Sequence, residues 1–399
     1  MREMMDANGL YRFIVESGEN VKALVTHWIF SVGIHEANVY RDASRHILPA
    51  NIFACLDKLL DKDAESFRER FHPRFKPRED ARFSFIDLFA GIGGFRIAMQ
   101  NNGGHCVFSS EWNAAAQKTY AYNFGETPFG DITLDSTKNL IPGNFDVLCA
   151  GFPCQAFSIA GYQKGFEDTR GTLFFDVARI IDMHRPRAFY LENVKNLQSH
   201  DEGRTFKKIM KVLENDLGYR VFTKVMSPDE YANLPQNRER IFIVGFDPNQ
   251  VAQERIDAFH FPERMMCRCT VEDCLEPNAV DPVYTYDNRY GCYNELLAHV
   301  NRTDTVYQWR RHYVRENKNN RCPTLTANMG TGGHNVPIVL RHGTIRKLTP
   351  RECLNFQGFP ARYAFPDIAM SKCYMQAGNS VAVPLVQRVA REIVRVLNV

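Results

Sequence analysis

The sequence predicts an α/β protein: a Rossmann-like, mostly parallel sheet covered by helices, with a helical N-terminal extension and a smaller loop-rich domain. Three observations carry this expectation. Between Phe83 and Phe246, short apolar runs alternate with helical patterns, the rhythm of strand–helix–strand crossover units. A glycine cluster stands where the first run gives way to a helix. After Asp247 the alternation stops, and residues rich in Asn, Arg, Tyr, Gly and Pro follow to about 343. The expected boundaries are a helical extension over 1–80, the main α/β domain over 81–250, the loop-rich domain over 251–343, and a C-terminal segment, 344–399, returning to the main domain.

A chain of 399 residues with 44% hydrophobic content is long enough for several domains with a sizeable core. The formal net charge of +3 does not by itself demand a polyanionic partner. Locally the balance differs: between Asn301 and Lys347 nine Lys and Arg (302, 310, 311, 315, 318, 321, 341, 346, 347) stand against Asp304 and Glu316. Eleven cysteines in irregular spacing make no disulfide framework and fit a reducing cytoplasm. Met1 to Phe13 lacks the apolar core of a secretory signal. Val21 to Ile34 is broken by Lys22 and His27 and is too short to cross a bilayer. The expectation is a soluble, cytoplasmic, monomeric protein without a membrane partner.

In the extension, Val21–Phe30 and Ile52–Leu60 carry apolar residues at helical spacing, with a Gly33-containing turn and a polar stretch around Val39 and Arg41 between them. Two readings stay open: a helix-turn-helix DNA reader, or a helical pack against the main domain. The charged segment Asp61–Arg82, with Pro73 and Pro77, reads as a linker. Strands are expected at Phe83–Phe89, His105–Ser109, Phe145–Ala150, Ala188–Leu191 and Arg240–Phe246. Helices are expected at Gly94–Asn101, Asn113–Asn123, Leu173–His184 and Gly203–Asn215, and again at Thr349–Phe356 and Val383–Leu397.

Phe89-Ala90-Gly91-Ile92-Gly93-Gly94 sits at a strand-to-helix passage, where glycines let the backbone approach a ligand, or simply permit a tight turn. Glu111 ends the second strand, where an acid takes ribose hydroxyls. Trp112 beside it offers a flat face for an adenine, or is a core aromatic. Gly130-Asp131-Ile132 falls at the next expected strand end, with Asp131 as acceptor for an adenine amino group and Ile132 packing on the ring. An adenosine ligand follows from the set. Phosphate-cradling glycine patterns are absent, which places S-adenosylmethionine ahead of a dinucleotide.

Cys154, in Gly151-Phe152-Pro153-Cys154-Gln155-Ala156-Phe157-Ser158, follows the apolar run ending at Ala150. It is either one more buried cysteine or a nucleophile at the ligand end of the sheet. Glu192 ends a further strand, as a ring-binding carboxylate or a cap partner. Arg238 and Arg240 precede another, as substrate-facing guanidinium groups or ion-pair partners of Glu239.

In this order the blocks resemble the DNA (cytosine-5) methyltransferases of bacterial modification systems. The similarity covers about 83–246 and 344–396. It runs through the 89–94 glycine block, Glu111-Trp112, Gly130-Asp131-Ile132, Pro153-Cys154-Gln155 with Phe157-Ser158, Gly171-Thr172-Leu173-Phe174-Phe175-Asp176, Glu192-Asn193-Val194, Gln236-x-Arg238-x-Arg240, Arg346 to Glu352, and Gln376 to Val381. The resemblance implies a methyltransferase fold using S-adenosylmethionine, with S-adenosylhomocysteine as product and double-stranded DNA as partner. By the same resemblance Cys154 is the nucleophile that adds to cytosine C6. Glu192 holds N3 and the 4-amino group, and Arg240 holds O2 with Arg238 in support. Phe89, Gly91, Gly93, Glu111, Trp112, Asp131, Ile132, Asn379 and Val381 line the cofactor site. Gln155, Ser158 and Arg170, with the loop Ile159–Gly171, close over an extruded base.

The stretch Tyr307 to Arg315 mixes aromatics with Arg310 and Arg311 and is expected to face DNA. Pro323 to Asn335 resembles the family's recognition loop, with Thr324, Asn328, Gly332 and Gly333 as candidate contacts and His334 and Asn335 able to read base edges. Cys267-x-Cys269-x4-Cys274 lacks the paired spacing of a zinc site, and no metal is expected. The alternative activities are cytosine-5 methylation of RNA and promoter binding through the N-terminal helices.

Overall fold

The computed structural model describes residues 5–32, 37–78, 80–153 and 173–399. The chain divides into two compact units. One comprises Met1–Lys224, Ile241–Phe259 and Ala390–Val399; the other comprises Val225–Arg240 and His260–Val389.

The first unit opens with four helices, α1 (Ala7–Glu16), α2 (Glu19–Ser31), α3 (Ala37–Ile47) and α4 (Ala50–Glu69), the last broken at Asp63. Asp6 caps α1 by accepting the Gly9 amide at 2.7 Å, meeting one of the donors a helix start leaves unpaired. Every residue of α2 from Ala23 to Ser31 is buried, so this helix is a core element. In α3, Tyr40 and Ser44 are buried and Arg41 forms a paired contact with Asp57 at 2.6 and 2.7 Å. Asp42, Arg45, His46 and Ile47 form its open face. The turn of the proposed helix-turn-helix, 33–36, lies outside the described residues.

A six-stranded sheet follows: β1 (Phe83–Leu88), β2 (Gly104–Ser110), β3 (Val147–Ala150), β4 (Ala188–Val194), β5 (Arg220–Met226) and β6 (Arg240–Phe246), in the order β2-β1-β3-β4-β6-β5. The pairings β1–β2, β1–β3 and β3–β4 are parallel. β2 and β3 are buried along their whole length, as expected of strands covered on both faces. The covering helices include α5 (Gly94–Asn101), α6 (Ala114–Phe124) and α7 (Leu173–His184). β5 closes one sheet edge; its half-exposed residues hide it from a search for apolar runs.

The second unit contains an antiparallel sheet of short strands, β7 (Tyr307–Trp309), β8 (Val314–Glu316), β9 (Ile338–Arg341) and β10 (Thr344–Lys347), ordered β10-β9-β7-β8. Tyr286, Leu296, Tyr307, Ile338 and Ile345 form its buried cluster. Helices α8 (Pro350–Phe356) and α9 (Met370–Asn379) pack here, and α10 (Val383–Leu397) carries the chain toward its end. Of the C-terminal segment, Ala390–Val399 belongs to the first unit and the part before it to the second. β10 pairs with β9, and the buried Arg346 guanidinium holds Glu352 at 2.7 and 2.8 Å. Thr349 and Glu352 form a reciprocal cap that starts α8.

Among the described residues, no helix is long and apolar enough to cross a membrane.

Candidate active site

In the first unit the candidate residues gather at the carboxyl ends of β1 to β4, the end of a parallel sheet where ligands bind. Beyond β1, Phe89, Gly91 and Gly93 all adopt positive φ (54°, 55° and 81°). A Cβ on Gly93 would lie 2.3 Å from the Phe124 ring, so glycine is required there both by conformation and by contact. A Cβ on Gly91 would meet only the Phe89 carbonyl, at 3.9 Å, and one on Gly130 would meet nothing within 4 Å. Open space therefore lies over both turns.

Glu111 braces this loop. Its Oε2 accepts the Gly91 amide at 2.8 Å and its Oε1 accepts the Asn113 amide at 2.8 Å. Burial raises its carboxyl, and the amides of Asn113, Gly91 and Trp112 pull it back. Asn113 in turn caps α6 through the amides of Ala115 and Ala116. Trp112 is 77% exposed, an uncommon place for an indole unless its face is meant for a ligand. Ile132 is buried, whereas Asp131 is exposed and accepts the Thr133 amide at 2.9 Å. An open glycine cradle, a braced carboxylate and an uncovered indole form an acceptor and stacking set that fits an adenosine ligand.

β3 runs out into Gly151-Phe152-Pro153. Cys154, Gln155, Ser158 and Arg170 lie outside the described residues. Glu192, buried at the end of β4, has Oε2 3.7 Å from where a Cβ on Gly151 would sit. Next to it Asn193 donates from Nδ2 to the Phe152 carbonyl at 2.9 Å. In the sequence Asn193 stands out only as a member of the Glu192-Asn193-Val194 block; its work is to hold the strand exit two residues before Cys154.

In the second unit Arg238 is buried, and its guanidinium donates to the carbonyls of Leu325 (2.6 Å), Ser380 (2.6 Å) and Gly378 (3.2 Å). Its terminal nitrogens are thereby committed to main-chain carbonyls. Arg240 is half-buried and donates to the Glu239 carbonyl at 2.8 Å. Gln236, fully buried, donates to the Phe356 carbonyl at 2.7 Å and accepts the Leu325 amide at 3.3 Å. Thr324 donates to the Asn237 carbonyl at 2.7 Å. The recognition-type loop is thus tied along one side to the 236–238 segment. On its other side a Cβ on Gly378 would lie 2.2 Å from the Thr326 carbonyl, so α9 and the loop are in backbone contact. Asn379 is exposed and Val381 half-buried.

Arg310 and Arg311 are exposed at the turn between β7 and β8, which the Arg310 amide closes on the Tyr313 carbonyl at 2.9 Å. Asn328, Gly332 and Gly333 lie on the loop, and both glycines are exposed with positive φ (83° and 66°). His334 has its Nδ1 3.2 Å from the Tyr286 hydroxyl, and its ring stands against that of Tyr286. Asn335 donates to the Gly332 carbonyl at 2.8 Å, closing the turn.

The family described as C-5 cytosine-specific DNA methylase matches residues 83–395. Among curated relatives, the type II methyltransferase M.HpaII of Haemophilus parainfluenzae is 46% identical over 330 residues, covering 79% of this chain and 90% of that protein. M.Bsp6I of Bacillus sp. (strain RFL6) is 45% identical, covering 77% of this chain and 96% of that one. The solved Dnmt2 methyltransferase of S. pombe superposes with a TM-score of 0.60 at 19% identity, over 80% of this chain and all of that one, a likeness of fold. By its ordered motifs, its sheet and these matches, the chain belongs to the C-5 cytosine-specific DNA methylases and is a DNA (cytosine-5) methyltransferase.

Proposed function

We infer that this enzyme methylates C5 of a cytosine within a short duplex DNA sequence, using S-adenosylmethionine, as the modification partner of a restriction system. The single observation that most supports this is the buried Glu192 carboxylate beside Gly151, on the strand exit that leads to Cys154. S-adenosylmethionine, when bound, supplies an electrophilic methyl group on a sulfonium. Gly91 would leave room for it while Gly93 lets the loop turn against Phe124, Glu111 would meet its ribose hydroxyls, and Trp112 would meet the adenine face. Phe89, Asp131 and Ile132 would complete that side of it, and the sequence resemblance alone assigns Asn379 and Val381 to the same ligand.

C5 of cytosine is too weak a carbon nucleophile to take a methyl cation equivalent unaided. The Cys154 thiolate adds to C6, and the C5–C6 double-bond electrons move so that C5 becomes enamine-like. Glu192 hydrogen-bonds N3 and the amino group, and Arg240 meets O2, where negative charge gathers. After C5 is methylated it loses its proton to a base, the C6–S bond breaks and the thiolate leaves. The cytosine reaches these groups by leaving the stack. Arg310, Arg311, Thr324, Asn328, Gly332 and Gly333 contact the duplex, with Gln155, Ser158 and Arg170 around the emptied position.

The test is transfer of tritiated methyl from S-adenosylmethionine into duplex DNA, with covalent trapping on DNA that carries 5-fluorocytosine. Wild type labels C5 and is trapped; Cys154→Ser does neither. Label appearing in tRNA alone overturns the substrate, and labelling without any trapped adduct overturns the mechanism.

A further inference from the structure

The family match begins at residue 83, yet the helices before it are built into the strand that carries the cofactor residues. Tyr40 donates its hydroxyl to the Val107 carbonyl at 2.5 Å, within β2. His27 donates from Nδ1 to the Ala23 carbonyl at 2.8 Å, which leaves Nε2 to accept the Ser109 amide at 3.2 Å. Thr26 accepts the Thr127 amide at 3.0 Å while donating to the Lys22 carbonyl at 2.7 Å. All three side chains are buried.

These contacts continue to the candidate cofactor site without a break. The Ser109 carbonyl accepts the Phe129 amide at 2.9 Å, and the Phe129 carbonyl accepts the Glu111 amide at 2.8 Å. Glu111 then holds Gly91. The Phe129 ring, one residue before Gly130-Asp131-Ile132, is packed by His27 (centroids 4.4 Å apart), Tyr40 (6.0 Å) and Phe108 (5.1 Å). Beneath it His27 Nε2 lies 3.5 Å from Glu126, whose carboxylate takes the Arg96 guanidinium at 2.6 Å. Arg96 belongs to α5, the helix that starts from the glycine loop.

We propose that His27, Thr26 and Tyr40 are positioning residues for the methyl donor: the N-terminal helices set the height of Glu111 and of the 130–132 turn. The proposal rests on the reading of that site as the one for S-adenosylmethionine. Here three separate polar side chains from α2 and α3 meet backbone groups of β2 and of the segment entering the 130–132 turn. Since coupling between two places is reciprocal, occupancy of the cofactor site must in turn quiet these helices.

The experiment uses the full chain. Amide exchange of residues 19–31 is followed with and without saturating S-adenosylhomocysteine, and calorimetry measures S-adenosylmethionine affinity for wild type, Tyr40→Phe and His27→Phe well below their melting temperatures. Product binding is expected to slow exchange across 19–31 in wild type. Each variant, lacking its side-chain hydrogen bond to β2, is expected to bind the donor about threefold to tenfold more weakly, with duplex DNA affinity unchanged. If wild type binds the donor but the helix amides are indifferent to it, or both variants bind as wild type does, the proposal is overturned. If wild type itself fails to bind S-adenosylmethionine, the cofactor reading fails first, a result distinct from the other two.

Discussion

The Gly91 amide donates to Glu111 Oε2 across 2.8 Å, joining the turn after β1 to the end of β2. The acid expected to meet the ribose is therefore also the brace of the glycine loop. Its replacement must cost both tasks.

Glu111→Ala is expected to weaken S-adenosylmethionine binding by about tenfold or more, the worth of hydrogen bonds to a charged group. Glu111→Gln, which keeps one acceptor, should lose less. Equilibrium binding measured beside thermal stability distinguishes the loop from the ligand: equal melting temperatures with unequal affinities assign the loss to the site.

Asp87 lies wholly inside β1. Burial holds its carboxyl well above the ordinary 3.8, with Arg96 pulling it down and Glu111 pushing it up. Its folded value exceeds its unfolded value, so its contribution to stability is full below the unfolded value and is lost as pH rises through the folded one. Asp87→Asn escapes that loss. The variant should melt above wild type at pH 8, by about 1–2 °C for each kcal/mol, and the gap should close toward pH 4. A gap that widens in acid would reverse the sign.

Arg346 and Glu352 form a doubly hydrogen-bonded ion pair that is 3% and 0% exposed. Arg346→Met alone should cost about 3–5 kcal/mol, because a buried carboxylate is left without its partner. Arg346→Met with Glu352→Leu should recover much of this. Urea titration of the two single variants and the double variant gives the coupling directly.

Asn193→Ala removes the donor that holds the Phe152 carbonyl. The strand exit before Cys154 then gains freedom, and turnover should fall about tenfold while the Michaelis constants for DNA and donor stay near wild type, as expected when a reacting group is mispositioned. Steady-state kinetics with both substrates checks the split.

Arg310→Ala with Arg311→Ala should weaken duplex binding across all sequences. It should also lower the slope of log affinity against log salt by about 0.9 for each phosphate that is no longer neutralised. A change of sequence preference at constant slope would assign these residues to base edges instead.

Alternating apolar runs and helical patterns were enough to read the α/β class and five of the six strands of the main sheet, because strands covered on both faces are mostly apolar. The ordered short motifs were enough to reach the family and the reaction, since several of them mark strand ends where chemistry is done. Other features are decided by contacts between segments far apart in the chain, which leave no local period. β5 escaped because an edge strand need not be apolar on both faces. Strands of three or four residues in the second unit are too short to show alternation. Glu111 as a brace, Arg238 committed to the carbonyls of Leu325, Gly378 and Ser380, His334 turned against Tyr286, and the N-terminal helices fastened to β2 through His27 and Tyr40 each pair a side chain with a group many residues away. Local order determines which elements form and which reactive groups they carry; only packing determines which polar atoms remain for a substrate and which are used up holding the backbone in place.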